Sequence, residues 1–540
     1  MTSFRSTNSL LFFSFILVLW LSWPASGNSS TATSAPEDYI ACLLDNSHPD
    51  HPISPAIFTP DNSSFTSVLR AYIRNNRFNT SATRKPFLIV TALHVSHIQA
   101  SIVCARRHNM QMKIRSGGHD YEGVSYVAEV PFFILDMFNL RTIDIDIEKE
   151  TAWVQTGATL GEVYYRIAEK SKVHGYPAGV CPTVGVGGHI SGAGYGNLMR
   201  KYGLTVDNIE DATMVDVNGR LLDRKAMGED LFWAISGGGG SSFGVVLSYK
   251  IKLVRVPEKV TVFRVTRSPE QNASYIGSRW QQVADKIDRD LFIRFIMDVV
   301  NNTQTGKKTA RATFHGLFLG DADRLFSVLN TSFPELALKR SEVNETSWVQ
   351  SVLFWTNYPI GTSEEVLLSR TPPVNSLKRK SDYVKKPISK EGLEWIWDRM
   401  AELEAPLALT FNPYGGRMAE IRSTAKPFPH RAGNLAKIQY AVNWDEQGTE
   451  AANYYIGLTR KLHMYMTRFV SANPREAFYN YKDLDLGINH NGRESYYEGR
   501  TYGIKYFVGN FNRLVEIKTR VDPDNFFRNE QSIPTLPHKK

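Results

Sequence analysis

Cysteine is scarce in this chain of 540 residues, and several motifs common in enzymes are missing from it. The three cysteines form no C-x-x-C pair, and the sequence contains neither H-E-x-x-H nor a P-loop. We therefore predict neither a metalloprotease nor a nucleotide hydrolase, and no metal site. The formal net charge is +9, yet lysine and arginine form no dense cluster with interleaved aromatic residues. A nucleic-acid partner is therefore not expected.

Long apolar runs are also missing, except at the amino terminus. The run from Leu10 to Leu21 follows Arg5 and precedes small residues, which is the layout of a secretory signal peptide over residues 1–27. A membrane anchor is the weaker alternative, because the run is shorter than a bilayer span. We expect a secreted, monomeric protein. Sequons for N-glycosylation occur at Asn62, Asn79, Asn272, Asn301, Asn330 and Asn344.

The basic composition bears on where an exported protein would stay. A positively charged surface suits retention on an anionic polysaccharide of the cell wall or apoplast, and the vacuole is the alternative destination. A modest excess of solvated lysine and arginine explains the charge equally well.

An odd number of cysteines leaves one without a partner in a secreted protein. We pair Cys42 with Cys104, which would attach the mature amino terminus to the first domain. Cys181 then remains, within the glycine-rich segment GVCPTVGVGGHISGAGYG at 179–196. A thiol protease that uses Cys181 with His119 or His189 is one interpretation. The glycines favour a large planar cofactor with phosphates instead, because backbone N–H groups can approach phosphates closely there.

Apolar periodicity divides the mature chain into three parts, 28–256, 257–473 and 474–540. In the first part, from about 83 onward, short strand-like runs alternate with helical stretches and glycine runs, which predicts an α+β or α/β domain that binds a ligand. In the second, the helices lengthen and the strands alternate, which predicts an α+β substrate domain with an antiparallel sheet covered by helices. The third part returns to the first pattern, and we expect it to pack on the first domain.

Five motifs together carry a resemblance to a known family. They are RSGGHDYEG (115–123), GVCPTVGVGGHISGAGYGNLMRKYGL (179–204), MGEDLFWAISGGGGSSFGVV (227–246), NYKDLDLG (480–487) and DPDNFFRNEQSIP (522–534). Across essentially the whole mature chain they resemble the plant berberine bridge enzyme-like family, which has the vanillyl-alcohol-oxidase (PCMH-type) FAD fold. The resemblance implies a PCMH-type FAD-binding domain in the first part and FAD bonded covalently to His119 and Cys181. It also implies the Cys42–Cys104 disulfide.

The same two glycine-rich motifs imply further contacts with the cofactor. The positions expected to contact FAD are Arg115, Ser116, Gly117, Gly118, Val184, Gly187, Gly188, Gly192 and Gly194.

The resemblance also places a set of side chains at the reactive edge of the flavin: Tyr121, Tyr195, Asn412, Lys437, Gln439 and Tyr481. Alkaloid-cyclising and cannabinoid-forming members carry a glutamate where this chain has Lys437 or Gln439, so neither of those activities is expected. The set resembles members that oxidise allylic alcohols such as monolignols. A nearby ammonium lowers the pKa of a phenol, so we predict that Lys437 keeps Tyr195 ionised as the base. Gln439, Tyr121 and Tyr481 would orient the substrate.

Val184 bears on the fate of the reduced flavin. A small residue at this position resembles the oxidases of the family, so O2 is the expected second substrate and hydrogen peroxide the product. Three alternatives stay open: an oxidase of cell-wall oligosaccharides, an oxidative cyclase or ring-forming enzyme, and a non-catalytic, allergen-like extracellular protein.

Overall fold

The computed structural model describes residues 36–301, 306–492 and 494–537, so the predicted signal peptide lies outside the described residues. The strands are β1 (Ile57–Phe58), β2 (Ile89–Thr91), β3 (Gln111–Arg115), β4 (Phe132–Asp136), β5 (Ile143–Asp146), β6 (Thr151–Gln155), β7 (His174–Gly175), β8 (Ile209–Val215), β9 (Leu221–Leu222), β10 (Val245–Lys252), β11 (Val254–Arg255), β12 (Val260–Arg267), β13 (Leu291–Asn301), β14 (Lys308–Phe318), β15 (Val343–Thr346), β16 (Ser376–Val384), β17 (Ala408–Pro413) and β18 (Ala436–Trp444).

The α-helices are α1 (Pro36–Asp45), α2 (Phe65–Arg70), α3 (Val95–Arg107), α4 (Leu160–Lys170), α5 (Val186–Ser191), α6 (Met199–Tyr202), α7 (Arg224–Ile235), α8 (Ala273–Val283), α9 (Ala322–Ser332), α10 (Trp348–Trp355), α11 (Lys390–Glu402), α12 (Arg417–Glu420), α13 (Thr449–Tyr465), α14 (Ser495–Phe507) and α15 (Phe511–Val521). No helix within the described ranges is both long and apolar enough to cross a bilayer.

Two larger sheets and the two-stranded pair of β7 and β11 build the described residues of the first part of the chain. One has the order β1-β2-β4-β3, with β4 parallel to β2 and β3; the other is antiparallel, with the order β5-β6-β10-β8-β9. Every residue of β4 is buried, as expected for a strand covered on both faces. Strand β3 ends at Arg115, and the chain passes directly into the first glycine segment. The sheet thus fixes where that segment begins.

The second part of the chain, which is predicted to bind the substrate, contains one antiparallel sheet with the order β15-β12-β14-β13-β17-β18-β16. One face carries the stacked rings of Phe295, Phe314 and Phe411, and it packs against α8, α9, α11 and α13. Because side chains alternate along a strand, Arg294 and Lys437 lie on the other face, which is turned toward the glycine segments. The predicted α+β class and the antiparallel sheet with covering helices are confirmed.

The carboxy-terminal tail packs on the first part of the chain. Leu514 and Val515 of α15 belong to the same apolar core as Trp233 and Ala234 of α7. Lys518, which is fully buried, donates at 2.7 Å to the carbonyl of Ser242, just after the glycine run 237–240. At the other end, the predicted Cys42–Cys104 disulfide is present and joins α1 to α3.

Candidate active site

The two glycine segments, 115–123 and 179–196, cross in direct contact. A Cβ atom on Gly117 would lie 2.3 Å from the backbone nitrogen of Gly185, so the two backbones touch only because both residues are glycine. Nε2 of His119 lies 2.8 Å from the hydroxyl of Thr183, two residues after Cys181. Residues from two distant motifs are therefore brought to one place.

A cavity of about 260 Å³ opens beside this crossing. A Cβ atom on Gly188 would meet no protein atom within 4 Å, so the backbone there faces open space. Two polar atoms on the wall, Ser125 Oγ and Tyr479 OH, are buried and have no hydrogen-bond partner within the described chain. A bare glycine wall with unsatisfied hydroxyls fits a large polar cofactor such as FAD. Seven of the residues predicted to contact the cofactor line this cavity: Ser116, Gly117, Gly118, His119, Val184, Gly187 and Gly188.

Three residues predicted to contact the cofactor lie behind the cavity wall instead. The guanidinium of Arg115 is fully buried and is occupied by Asp136, at 2.6 and 3.1 Å, and by two backbone carbonyls. Gly192 leaves room for the side chain of Asn480, and Gly194 adopts a φ of 63° close to His189. All three shape the wall through packing and turn geometry.

The two residues predicted to attach the flavin differ in their electrostatics. Burial, assisted by the charge of Arg74, lowers the pKa of His119 to about 3, so the imidazole is neutral and can act as a nucleophile. Desolvation raises the pKa of the Cys181 thiol, and the charges of Arg294, Arg74 and Arg379 oppose that rise. Cys181 is the free cysteine of the described chain; the residue as a whole is exposed although its thiol is desolvated, and it lies next to the cavity lining rather than in it. The neutral imidazole of His119 suits the predicted covalent bond, whereas the thiol of Cys181 has to lose its proton first, because the thiolate is the nucleophile.

An aromatic cage surrounds the side chain of Lys437. The Nζ atom lies 3.2 Å from the ring centre of Tyr195, 3.6 Å from that of Phe478 and 4.6 Å from that of Tyr481. Lys437 is 1% exposed and forms no ion pair with any carboxylate of the described residues. The hydroxyls of Tyr195 and Tyr481 share a hydrogen bond. These rings, the Lys437 cage, place an amine and two phenols in direct contact.

The remaining predicted side chains border the cage. Gln439 donates to the hydroxyl of Tyr121 at 3.2 Å, and the Tyr121 and Tyr481 ring centres are 5.7 Å apart. Asn412 is fully buried and accepts a hydrogen bond of 2.8 Å from Arg294. The structure thus brings the predicted catalytic set together, and two of its members, Tyr121 and Tyr481, line the cavity.

Burial changes the expected acid–base balance of the cage. The pKa of Tyr195 is raised by burial, and the charge of Arg294 and the hydrogen bond from Tyr481 only partly oppose the rise. Burial, then Arg294, lowers the pKa of Lys437 well below its usual value. The pKa of Tyr195 is therefore raised overall, whereas the sequence predicted that it would be lowered. Desolvation outweighs the effect of the neighbouring charge.

The sequence analysis did not predict three arginines that lie near Cys181. Arg74, Arg294 and Arg379 are close enough to affect the Cys181 thiol, and none of them pairs with a carboxylate within the described chain. Arg379 instead donates to Asn443 and to two carbonyls. The alternation of FIRFIMDVV could have placed Arg294 on the polar face, but no local pattern distinguishes Arg74 or Arg379.

Comparisons with known proteins cover nearly the whole chain. Two family models match, an FAD binding domain over 86–224 and a "berberine and berberine like" domain over 477–534. Berberine bridge enzyme-like 8 of Arabidopsis thaliana is 64% identical over 528 residues, which cover 97% of this chain and 98% of that protein. The solved structure of BBE-like 28 of Arabidopsis thaliana is 44% identical, with a TM-score of 0.86, covering 93% of this chain and all of that one. Phl p 4, described as a grass pollen allergen with glucose dehydrogenase activity, is 40% identical, with the same TM-score and coverage.

Proposed function

This chain belongs to the berberine bridge enzyme-like family of FAD-dependent oxidoreductases, and from that premise we propose that it is a secreted oxidase of allylic or aromatic alcohols. We further propose that FAD is bonded to both His119 and Cys181. The Lys437 cage is the observation that carries the proposal. It brings a phenol pair and an amine together beside the cavity, without the carboxylate base of the cyclising members.

Alcohol oxidation removes a hydride from carbon and a proton from the hydroxyl. Tyr195 takes the proton, because its ring contacts Nζ of Lys437 and its hydroxyl is already paired with that of Tyr481. The positive charge of Arg294 and the hydrogen bond with Tyr481 favour the phenolate that this role requires. Tyr121, held by Gln439, orients the substrate. When bound, FAD would supply the hydride acceptor and the reaction with O2 that gives hydrogen peroxide.

Val184 supports oxidase rather than dehydrogenase behaviour. It lines the cavity three residues after Cys181, and its side chain is small. In Phl p 4, the wild type is described as a glucose dehydrogenase and an isoleucine-to-valine variant as a glucose oxidase. A change of one methylene group is therefore enough to alter this behaviour in a protein of the same fold. Val184→Ile is expected to slow reoxidation by O2 and leave flavin reduction unchanged in rapid-mixing experiments.

The proposal is tested by following peroxide release with monolignols. Tyr195→Phe removes the proton acceptor and is expected to lower kcat by about 10²- to 10⁴-fold, and Lys437→Met is expected to act in the same direction. Tyr202→Phe is the matched control, because this tyrosine lies in the same motif but its hydroxyl donates to the carbonyl of Arg255, away from the cage. Full activity of both cage variants would contradict the assignment.

A separate experiment tests the covalent bonds: the flavin colour should survive acid precipitation of the protein. His119→Ala and Cys181→Ala should each leave one of the two bonds.

A second candidate is oxidation of an anionic cell-wall oligosaccharide. Arg74, Arg294 and Arg379 support it, because arginines that lack carboxylate partners would complement a carboxylate on the substrate. The glucose oxidase and dehydrogenase activities described for Phl p 4 also support it. Peroxide release from oligogalacturonides but not from monolignols would favour this candidate.

We propose secretion to the cell wall as a monomeric glycoprotein. Five of the six sequon asparagines are exposed, and Asn79 is half-buried. Expression of the full chain in plant cells should place the protein in the culture medium, with a mass that falls on glycosidase treatment. Retention inside the cell would contradict this part of the proposal.

A further inference from the structure

Behind the cage tyrosines lies a cluster of charged side chains that the proposed reaction does not use. This charge cluster consists of Glu122, Lys378, Lys380, Asp483 and Asp485. The Nζ atom of Lys378 lies 2.8 Å from Asp483 and also contacts Glu122. Lys380 lies 2.8 Å from Asp485 and also contacts Asp483. The side chains of Glu122, Lys378 and Asp483 are each at most 4% exposed.

The cluster joins three segments that carry the candidate active site. Glu122 directly follows Tyr121 on the His119 loop, and Asp483 is the second residue after Tyr481. Lys378 belongs to β16, which pairs with β18, the strand of Lys437 and Gln439. Lys378 is therefore one bridge between the substrate sheet and both tyrosine-bearing loops.

Stability alone is a poor explanation for such a bridge. Removing charges from water carries a large desolvation cost, and apolar side chains of similar volume are often as stable or more stable in such positions. Two arginines at the edge of the cluster pair with its carboxylates: Arg77 binds Glu122 at 2.6 Å, and Arg460 binds Asp485 at 3.0 Å. A network in which every charge is paired fixes the orientations and separations of the side chains that it joins. Apolar packing fixes them less strictly.

We propose that Lys378 is a positioning residue that sets Tyr121 and Tyr481 against the substrate sheet. It acts through Glu122 and Asp483, and it does not touch the reacting atoms. This inference rests on the proposed alcohol oxidation, in which both tyrosines contact the substrate or its base. Misplacement of reacting groups by about 1 Å can lower a rate by about 10²-fold, so small shifts of the loops have large effects.

Lys378→Met tests the proposal in the flavin-loaded full-length enzyme. We expect kcat to fall by roughly 10- to 100-fold, with little change in KM and in the ratio of flavin to protein. Lys378→Arg keeps the charge and should recover most of the rate. Arg431→Met is the matched control, because it breaks another buried ion pair, with Asp207 at 2.7 Å, that also joins the two parts of the chain. The Arg431→Met variant should have a lower free energy of unfolding but a wild-type kcat.

Two further measurements keep the outcomes distinct. If the wild type oxidises no alcohol, the proposed function fails, and the visible circular dichroism of the bound flavin then tests the inference alone. The spectrum should change in Lys378→Met and not in Arg431→Met. If Lys378→Met does not fold, Glu122→Gln, which weakens the Lys378 bridge to the His119 loop, should lower kcat more than Lys380→Met, which leaves that bridge in place. Wild-type kcat and spectrum in Lys378→Met, or equal losses in Arg431→Met, would overturn the proposal.

Discussion

At the scale of single residues, Arg294 is the cation whose charge most lowers the pKa of Tyr195. Burial still raises that pKa, so the base is ionised more fully as the pH rises, and kcat/KM should increase toward alkaline pH. Arg294→Met removes the opposing charge, and the rise should move to higher pH with a several-fold lower rate at neutral pH. Arg264→Met is the control, since Arg264 lies on β12 and donates to the carbonyl of Phe354. A pH profile that is identical in all three proteins would refute the role of Arg294.

The buried His315 affects the pH dependence of folding stability rather than the rate of the reaction. Burial, then the charges of Arg264 and Arg294, lowers the pKa of His315 to about 2, and its ring stacks on Trp355 at 3.6 Å. The unfolded chain binds a proton near pH 6.5, whereas the folded chain does not until far lower pH. Stability is therefore lost as the pH falls below about 6.5, by up to about 1.4 kcal/mol per pH unit.

Replacing His315 should flatten that dependence. We expect the free energy of unfolding of His315→Gln, measured in denaturant between pH 6.5 and 4.5, to fall less steeply than that of the wild type. The exposed His490 is the opposite case, because its hydrogen bond with Glu498 raises its pKa. A raised pKa adds stability at low pH that is lost as the pH rises. Equal slopes for His315→Gln and the wild type would contradict the assignment.

At the scale of elements, the short helix α5 presents its glycines to the cavity. A Cβ atom on Gly188 would have no protein atom within 4 Å, so Gly188→Val should fold but occupy space that the cofactor needs. We expect the ratio of flavin to protein to fall in the purified variant, as measured by absorbance. Gly457→Ala in α13 is the control, since its Cβ also meets nothing, and alanine favours a helix by about 1 kcal/mol. Full flavin content in Gly188→Val would show that the cofactor does not approach this wall.

Elements whose signal is local could be predicted from the sequence. The alternation in AKIQYAVNW coincides with β18, and it places Lys437 and Gln439 on one face. The apolar run PFLIVTAL (86–93) predicts a longer strand than the structure has, since only Ile89–Thr91 pair as β2. Pro86 has no N–H to donate, and Leu93 is exposed beside the cap of α3. Most residues of the candidate active site were predicted from the resemblance of the motifs to the family.

What the sequence could not supply depends on contacts between distant segments. Phe478 completes the Lys437 cage from a loop 41 positions away, and Arg294 reaches the cage from β13. The pKa of Tyr195 follows from how deeply these segments bury it, which no spacing of residues encodes. Predicting the charge balance requires the packed structure.

At the scale of the whole molecule, the Cys42–Cys104 disulfide ties the amino terminus of the described chain to the flavin domain. It closes a loop of 62 residues, for which the chain-entropy treatment gives a stabilisation of about 4 kcal/mol. Tyr39 and Leu43 of α1 share an apolar core with Ile98 and Ile102 of α3, so the contact surface should persist when the bond is removed.

The double variant Cys42→Ser, Cys104→Ser is therefore expected to unfold at lower denaturant concentration and yet to retain flavin that survives acid precipitation. Cys181→Ser is the matched control, because it keeps the disulfide and removes one of the two predicted flavin bonds. Its flavin should remain attached through His119 alone, with a changed absorption spectrum and little change in the denaturation midpoint. If the double variant instead lost its flavin at wild-type stability, the disulfide would serve the cofactor site rather than the stability of the fold.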